Sequence, residues 1–484
     1  MNEKGELKVD PSNHIFEVLG NNDYTDIDLI SELIDNAVAA KLENRQLRIV
    51  IEVGISEENP ESSFFEIRDN ASGIEFENLA RAISPAGQPE DVDHPLNEHG
   101  LGMKQAIASA GELEFLKTKP TNENSATVIS EFSYGEIDYE TENVDWNHGT
   151  HIKVGNLREI LKSSDRVYGQ RILHYLGARY RRMLGPPNGE LDIQIEWRNL
   201  DDDDHMRKYT AEPIYPIYFH PNERINKPIV EKKKFYGPEG DGWVIELTFG
   251  YAPSSDAEYE KLGIESPSRY EPYSVALSKQ GLDLMMHDRV IQFHQLDDIG
   301  LVKASHNQYN RIRGEIDMLE GFHTAITKNK IPESEQFNSM ISQVKGFLDD
   351  ENLLNSVTVP GDIPENCLRD RLAKLLRKAP YNKKNIDTEY TVGKLRGFVD
   401  VYADGEAWEI KVDQGNGIDV YQLFGYMDMA DIQVGKFVSD GISGGARQAI
   451  KHINEKHGKE IEAVKLKNLA INGAMSDEEI EKYV

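Results

Sequence analysis

Apolar residues recur at three- and four-residue steps through Leu29, Leu33, Ala37 and Ala40, which predicts a helix over residues 30–41. Ahead of it, residues 13–19 read as a short helix or strap. Behind it, residues 47–53 and 63–69 read as strands, the second ending in the turn Asp69-Asn70-Ala71-Ser72-Gly73. Residues 151–154 read as a further strand, and residues 167–184 as a helix closed by Gly185-Pro186-Pro187. Strand-like runs follow at 191–197, 243–250, 281–286 and 290–293, then a helix over 333–350 and a linker near 355–363. The remaining chain predicts a helix over 364–378 between Pro364 and Pro380, strands at 388–392, 395–402 and 407–412, a helix over 418–430, a strand at 434–438 and a helix over 444–457. The pattern describes an α+β multidomain chain in three units: 1–185, 186–355 and 356–484.

Composition narrows the class. The 484 residues carry 39% hydrophobic residues, enough for sizeable cores, and no run of about eighteen apolar residues predicts a membrane span. The first residues, MNEKGELKVDPSN, lack the apolar stretch of a signal peptide, so a cytoplasmic protein without membrane contact is expected. The single cysteine, Cys367, excludes an intrachain disulfide and a cysteine-rich zinc site. A formal net charge of −30 argues against non-specific nucleic-acid binding by the whole surface. Basic residues cluster locally at Arg179, Arg181 and Arg182, at Lys232 to Lys234, and at Arg369, Arg371, Lys374, Arg377 and Lys378. Each cluster taken alone reads as a solvated face. His148 and His151 make a weak zinc case, and no P-loop, HExxH or GxSxG stretch occurs.

The first predicted helix carries Glu32 and Asn36 four residues apart, on one face. A carboxylate there can take a proton from water while an amide oxygen holds a hydrated Mg²⁺. An amphipathic helix with a polar edge would carry the same letters. Three later stretches change the picture: EIRDNASGI at 66–74, NEHGLGMK at 97–104 and NHGTHIKV at 147–154. Asp69 at a strand end can accept the amino hydrogen of adenine, and small residues after it let a base approach the backbone. Gly100 and Gly102 before a helical run let backbone N–H groups turn toward phosphates, and Lys104 adds positive charge.

Together the four stretches resemble the ATP-binding motifs of the GHKL superfamily: gyrase-type topoisomerases, heat-shock chaperones, histidine kinases, MutL and MORC proteins. ELIDNAVAA is most similar to the first motif of MutL and MORC. The resemblance implies a GHKL (Bergerat) α/β sandwich that binds ATP and Mg²⁺. Glu32 would activate water, Asn36 would ligate Mg²⁺, Asp69 and Thr150 (after Gly149) would hold adenine, and Gly73, Gly100, Gly102 and Lys104 would line the site. Asp35 is assigned to support of the helix or of a magnesium-bound water, and residues 84–99 to the ATP lid. Ala71 departs from the usual glycine, so a slightly different turn is expected. The middle unit would be a transducer-like α/β domain. Its stretch HTAITKNKIPESEQF resembles a MORC segment and offers Lys330, with Lys328 second, as a γ-phosphate sensor. An ATP-dependent homodimer is implied.

The C-terminal unit carries its own constellation. Asp400 ends GFVD, and WEIK places Glu409 and Lys411 two apart on one strand face. Asp400 and Glu409, with the Ile410 carbonyl, can ligate Mg²⁺ or Mn²⁺, and Lys411 can position the attacking water. Glu365 shares a helix face with Leu368 and Leu372 and is a further ligand candidate; Gln422 and Tyr426 form a QxxxY pair. An exposed hairpin with a salt bridge would give part of this pattern. The α-β-β-β-α-β order with these residues resembles the PD-(D/E)xK, restriction-endonuclease-like nuclease core of the RecB type. The combined expectation is an ATP-regulated, metal-dependent DNA endonuclease, similar to prokaryotic MORC-like defence proteins and acting with partner proteins. A DNA-binding clamp with a silent nuclease fold and a DNA-repair nuclease are the alternatives.

Overall fold

The computed structural model describes residues 12–22, 24–85, 87, 100–185, 189–202, 205–220, 225–238, 242–253, 255–324, 330–354, 363–392, 397–412, 415–439, 441–473, 476, 479 and 482. The first unit opens with α1 (His14–Val18) and α2 (Asp26–Ala39). Thr25 caps α2 in a reciprocal capping box with Asp28, satisfying donors at the helix start. The helix is buried nearly all round: Leu29, Ile30, Leu33 and Ile34 pack into the core, and Ser31, Glu32 and Asp35 are buried with them. A helix that buries charge in this way needs partners for it.

Around α2 the first unit builds an eight-stranded sheet and further helices. β1 (Leu47–Ile55), β2 (Phe64–Asp69), α3 (Phe76–Ile83), α4 (Gly102–Ala110), β3 (Glu112–Lys119), β4 (Ala126–Ile129), β5 (Glu140–Glu142) and β6 (Gly149–Gly155) are followed by a π-helical stretch at Val167–Ile172. Next come α5 (Leu173–Arg179), α6 (Arg181–Leu184), β7 (Leu191–Asn199) and β8 (Met206–Thr210). The strand order is β5-β4-β3-β6-β2-β1-β7-β8. β1 alternates Leu47, Ile49, Ile51 and Val53 into the core and pairs with β7 in parallel, Leu47 opposite Leu191. The sheet therefore runs to Thr210, past the expected unit limit at residue 185. The helix expected over 167–184 is also broken, at Tyr180, whose hydroxyl donates to Asp35 and to the Ser31 carbonyl of α2.

The middle unit contains β9 (Val230–Tyr236), β10 (Val244–Tyr251), α7 (Asp256–Leu262), β11 (Gly281–Met286), β12 (Arg289–Gln295), β13 (Ile312–Glu320) and α8 (Glu335–Asp350). Its sheet order is β12-β11-β13-β10-β9. Ser334 caps α8, which lays Phe337, Met340, Ile341, Val344 and Leu348 against the sheet at three- and four-residue steps.

The last unit is a three-layer arrangement. α9 (Glu365–Leu376) covers one face of the sheet formed by β14 (Ile386–Val392), β15 (Gly397–Ala403), β16 (Glu406–Lys411), β17 (Val434–Ser439) and β18 (Glu460–Lys465). α10 (Gly417–Met429) and α11 (Gly444–His457) cover the other. β14, β15 and β16 pair antiparallel, whereas β16, β17 and β18 pair in parallel. No helix among the described residues is long and apolar enough to cross a membrane.

Candidate active site

One end of α2 faces a cavity of about 280 Å³ lined by Asn36, Gly73, Gly100, Gly102 and Lys104. The Asn36 amide nitrogen donates back to the Glu32 carbonyl at 2.8 Å, which leaves its side-chain oxygen as the atom available to a cation. Glu32 lies one turn earlier and is 1% exposed. The structure thus joins five of the expected residues around one space; Glu32, Asp69 and Thr150 do not line it.

Asp69 ends β2, and its Oδ1 accepts the Ala71 N–H at 2.9 Å and the Thr150 N–H at 3.1 Å. Neither bond uses Oδ2. Burial pushes the Asp69 carboxyl up to about 6, against the pull of these two N–H groups. Thr150 lies 3.3 Å from Thr118 Oγ1, which accepts the Ile74 N–H at 2.7 Å, so β2, β3 and β6 are tied together beside the cavity. The turn after Asp69 takes its positive φ at Gly73 (73°) rather than at Ala71. Alanine at 71 therefore costs the turn little. A Cβ on Gly73 would stand 2.3 Å from the Lys119 carbonyl oxygen.

Gly100, with φ 59°, leads into α4, which starts at Gly102. Lys104 is buried within that first turn and donates to the Gly100 carbonyl at 2.6 Å. Burial lowers its pKa to about 8. Most of the expected lid, residues 86 and 88–99, lies outside the described residues, as does Lys328. Lys330 is exposed and does not line the cavity; the neighbouring Ile331 N–H donates to Gln292 of β12 at 2.9 Å.

A different middle-unit cation reaches α2. Arg289 Nη1 lies 2.6 Å from Asp35 Oδ2, with the two side chains 1% and 0% exposed. Asp35 Oδ1 accepts the Tyr180 hydroxyl at 2.8 Å. Arg179 donates to Ser31 and Asp28 of the same helix, both at 3.0 Å. Arg181 and Arg182 pair instead with Glu315 of β13, at 2.6 and 2.9 Å. The first basic cluster is therefore not a solvated face: Arg179 and Arg181 are buried, and they bind the first unit internally and to the middle unit. Sequence spacing gave no signal for Arg289, because its partner stands in another unit. His148 and His151 do not form a zinc pair: His148 contacts the Ala71 carbonyl and Arg45, and His151 stacks on Trp146.

In the C-terminal unit the structure brings Asp400, Glu409, Lys411 and Glu365 together. Asp400 Oδ2 accepts the Ile410 N–H at 2.8 Å, which joins β15 to β16 at this point. Lys411 Nζ lies 3.0 Å from Glu409 Oε1 and 3.7 Å from Glu365 Oε1. Glu409 Oε2 is buried and has no hydrogen-bond partner. Burial raises the pKa of Asp400, Glu365 and Glu409, and for Glu409 the Asp400 charge adds to it. Among the described residues no three His, Cys, Asp or Glu side chains form a group that could hold a metal ion. The expected three-carboxylate ligand set is thus not closed, because the Lys411 ammonium pairs with both Glu365 and Glu409. The Asp400–Glu409 pair still suits a divalent cation, which would relieve two crowded carboxylates and fill the open valence of Glu409 Oε2. Gln422 donates to the Tyr426 hydroxyl at 2.9 Å, and the Tyr426 ring packs where a side chain on Gly397, at the start of β15, would stand. Glu365 and Lys411 open onto a cleft of about 770 Å³ whose far wall includes Arg269, Asn307 and Gln308 of the middle unit.

No curated protein matches this chain. Residues 25–163 match the family model described as "Histidine kinase-, DNA gyrase B-, and HSP90-like ATPase", which makes that segment a GHKL-type ATPase domain.

Proposed function

We propose that the chain is an ATP-regulated, Mg²⁺-dependent DNA endonuclease in which ATP binding closes a homodimer of GHKL domains and controls the C-terminal unit. The observation that carries the nuclease half is the pairing of Asp400 with Glu409 and its orphaned oxygen, with Lys411 alongside. In this reading Glu32 orients and deprotonates the attacking water at the ATP site. Asn36 presents its oxygen to Mg²⁺, Asp69 and Thr150 hold adenine, and Lys104 turns from the Gly100 carbonyl to the phosphates. Lys330 reaches the γ-phosphate only if the middle unit moves when nucleotide binds. At the second site Asp400 and Glu409 hold Mg²⁺ or Mn²⁺, which supplies charge neutralisation at the scissile phosphate. Lys411 positions the nucleophilic water. A role in prokaryotic defence, with partner proteins, rests on family analogy.

A second reading has one observation in its favour: the Lys411–Glu409 contact also suits a salt bridge in a silent nuclease fold that serves a DNA clamp. Incubation with supercoiled, linear and single-stranded DNA, with Mg²⁺ or Mn²⁺ and with or without ATP, separates the two. Cleavage by the wild type that is lost in Asp400→Ala and Lys411→Ala supports the nuclease. Intact DNA under every condition, with DNA retained on the protein, supports the clamp.

A further inference from the structure

We propose that Arg289, at the tip of the β11–β12 hairpin, is a positioning residue for ATP hydrolysis: it grips Asp35 and so sets the helix that carries Glu32 and Asn36. The inference rests on the reading of Glu32 as the base. The hairpin closes through His287 and Asp288, both at positive φ (51° and 59°), with Met286 paired to Arg289. Such a two-residue turn holds the flanking residues in fixed register. Arg289 is the first residue after it, so its place is set by a short, stiff element. Val290 and Ile291 behind it are buried, Ile291 in the core of the middle unit, and Asp288 beside it pairs with Arg182 of α6 at 3.4 Å. The tip is thus held from its own unit and from the first one.

Asp35 is the point of contact on α2, one residue before Asn36 and three after Glu32. Residues three apart on a helix are neighbours, so displacing the carboxylate of Asp35 displaces the backbone that aims Glu32. The Tyr180 hydroxyl holds the other oxygen of Asp35, and the ion pair is sealed from water on both sides. Burial alone would weaken the Arg289 charge, but the carboxylates around it, Asp35 first and then Glu32, more than restore it. The guanidinium therefore also feels the field of Glu32. A buried pair of this kind adds little net stability but is costly to break on one side. Its geometry is consequently nearly all-or-none: the middle unit is docked with Arg289 on Asp35, or α2 is left with a bare carboxylate. That is the form of a coupling element, because the middle unit's position is reported at the residue next to the magnesium ligand.

The test uses the full chain with four variants: Arg289→Lys, Arg289→Met, the double variant Arg289→Met with Asp35→Asn, and Glu32→Gln. ATP turnover is measured as phosphate release, and affinity with a non-hydrolysable ATP analogue. The double variant removes both charges, leaves no bare carboxylate and keeps a partner for Tyr180, so it folds even where the single Met variant does not. Turnover in the double variant is expected to fall on the order of 10²-fold, with analogue affinity within about threefold of wild type. Arg289→Lys keeps the cation and is expected to retain most turnover. Turnover at the wild-type level in the double variant overturns the inference, as does a parallel loss of turnover and affinity. Glu32→Gln separates the layers. If it hydrolyses ATP normally, the base assignment has failed; if it is inactive while the Arg289 variants turn over normally, only the positioning role has failed.

Discussion

Two ionisable groups of the first unit, Asp69 and Lys104, have been moved toward neutrality by burial, and on the proposed reading this makes nucleotide affinity a function of pH. On the proposed reading Asp69 accepts the adenine amino hydrogen, which it can do only as a carboxylate, and its pKa has risen to about 6. Its contribution is lost as pH falls through that value. On the same reading Lys104 attracts phosphate, which it can do only as an ammonium, and its pKa has fallen to about 8. Its contribution is lost as pH rises through that value. Affinity for Mg-ATP is therefore expected to peak between about 6 and 8. Titration of affinity against pH checks this: Asp69→Asn should remove the acid limb, and Lys104→Met the alkaline limb. The same lysine has a stability consequence of defined sign. Its unfolded-state pKa lies near 10.5, so the cost of burying its charge is present in full below about 8 and is relieved as pH rises toward 10.5. On α2, Glu32→Ala should keep nucleotide binding and lose turnover, while Asn36→Ala should also weaken Mg²⁺-dependent binding. A wild-type hydrolysis rate in Glu32→Ala would remove the base assignment.

Elements were legible in the sequence where periodicity and chemistry agreed. The spacing of Leu29, Leu33 and Ala37 marked α2, and the strands ahead of the turn at 69–73 were read at β1 and β2. Pro364 and Ser334 stand at the starts of α9 and α8. The expected residues Asn36, Gly73, Gly100, Gly102 and Lys104 meet at one cavity. β13 was not legible, for a physical reason. Arg313, Glu315 and Asp317 alternate along it and read as polar. Yet Arg313 and Asp317 are buried, and Glu315 is the partner of Arg181 and Arg182. A strand that buries charge looks exposed until its counter-charges are known, and those of Glu315 and Asp317 lie more than a hundred residues away. The same blindness made Arg179 and Arg181 read as surface and hid Arg289. The limit at residue 185 failed because β7 adds in parallel to β1, a pairing with no local signal. Turn chemistry, in contrast, was readable: Gly73 is the residue the turn after β2 depends on. Gly73→Ala should cost about 1–2 kcal/mol for the left-handed backbone, plus the clash with Lys119. Thermal unfolding should show the loss, and nucleotide affinity should fall with it, since the turn borders the cavity.

At the scale of the whole molecule the arginines at the end of the first unit decide how motion would propagate. Arg181 and Arg182 hold β13, and Arg289 returns from the neighbouring hairpin to α2, so the ATP-binding unit and the middle unit grip each other in both directions. On the far side, the cleft onto which Glu365 and Lys411 open is walled by Arg269, Asn307 and Gln308 of that same middle unit. One body therefore touches both the helix of Glu32 and the mouth of the second site. If nucleotide shifts the middle unit, the mouth changes width, and access of a DNA strand to Asp400 and Glu409 changes with it. A chain of net charge −30 gives DNA little general attraction, so on the proposed nuclease reading access at this cleft would weigh heavily in the cleavage rate. Cleavage is accordingly expected to differ among no nucleotide, ADP, ATP and a non-hydrolysable analogue, with the analogue also raising the molar mass seen by light scattering to that of a dimer. Asp400→Ala should abolish cleavage and leave ATP turnover intact, because it stands in a different unit from Glu32. The double Arg289→Met, Asp35→Asn variant should cut at a rate that no longer follows nucleotide state, because the path between the sites has lost its link at α2. Equal cleavage rates in all four nucleotide conditions for the wild type would mean two independent activities on one chain, and a monomer mass with the analogue at micromolar protein would remove the clamp.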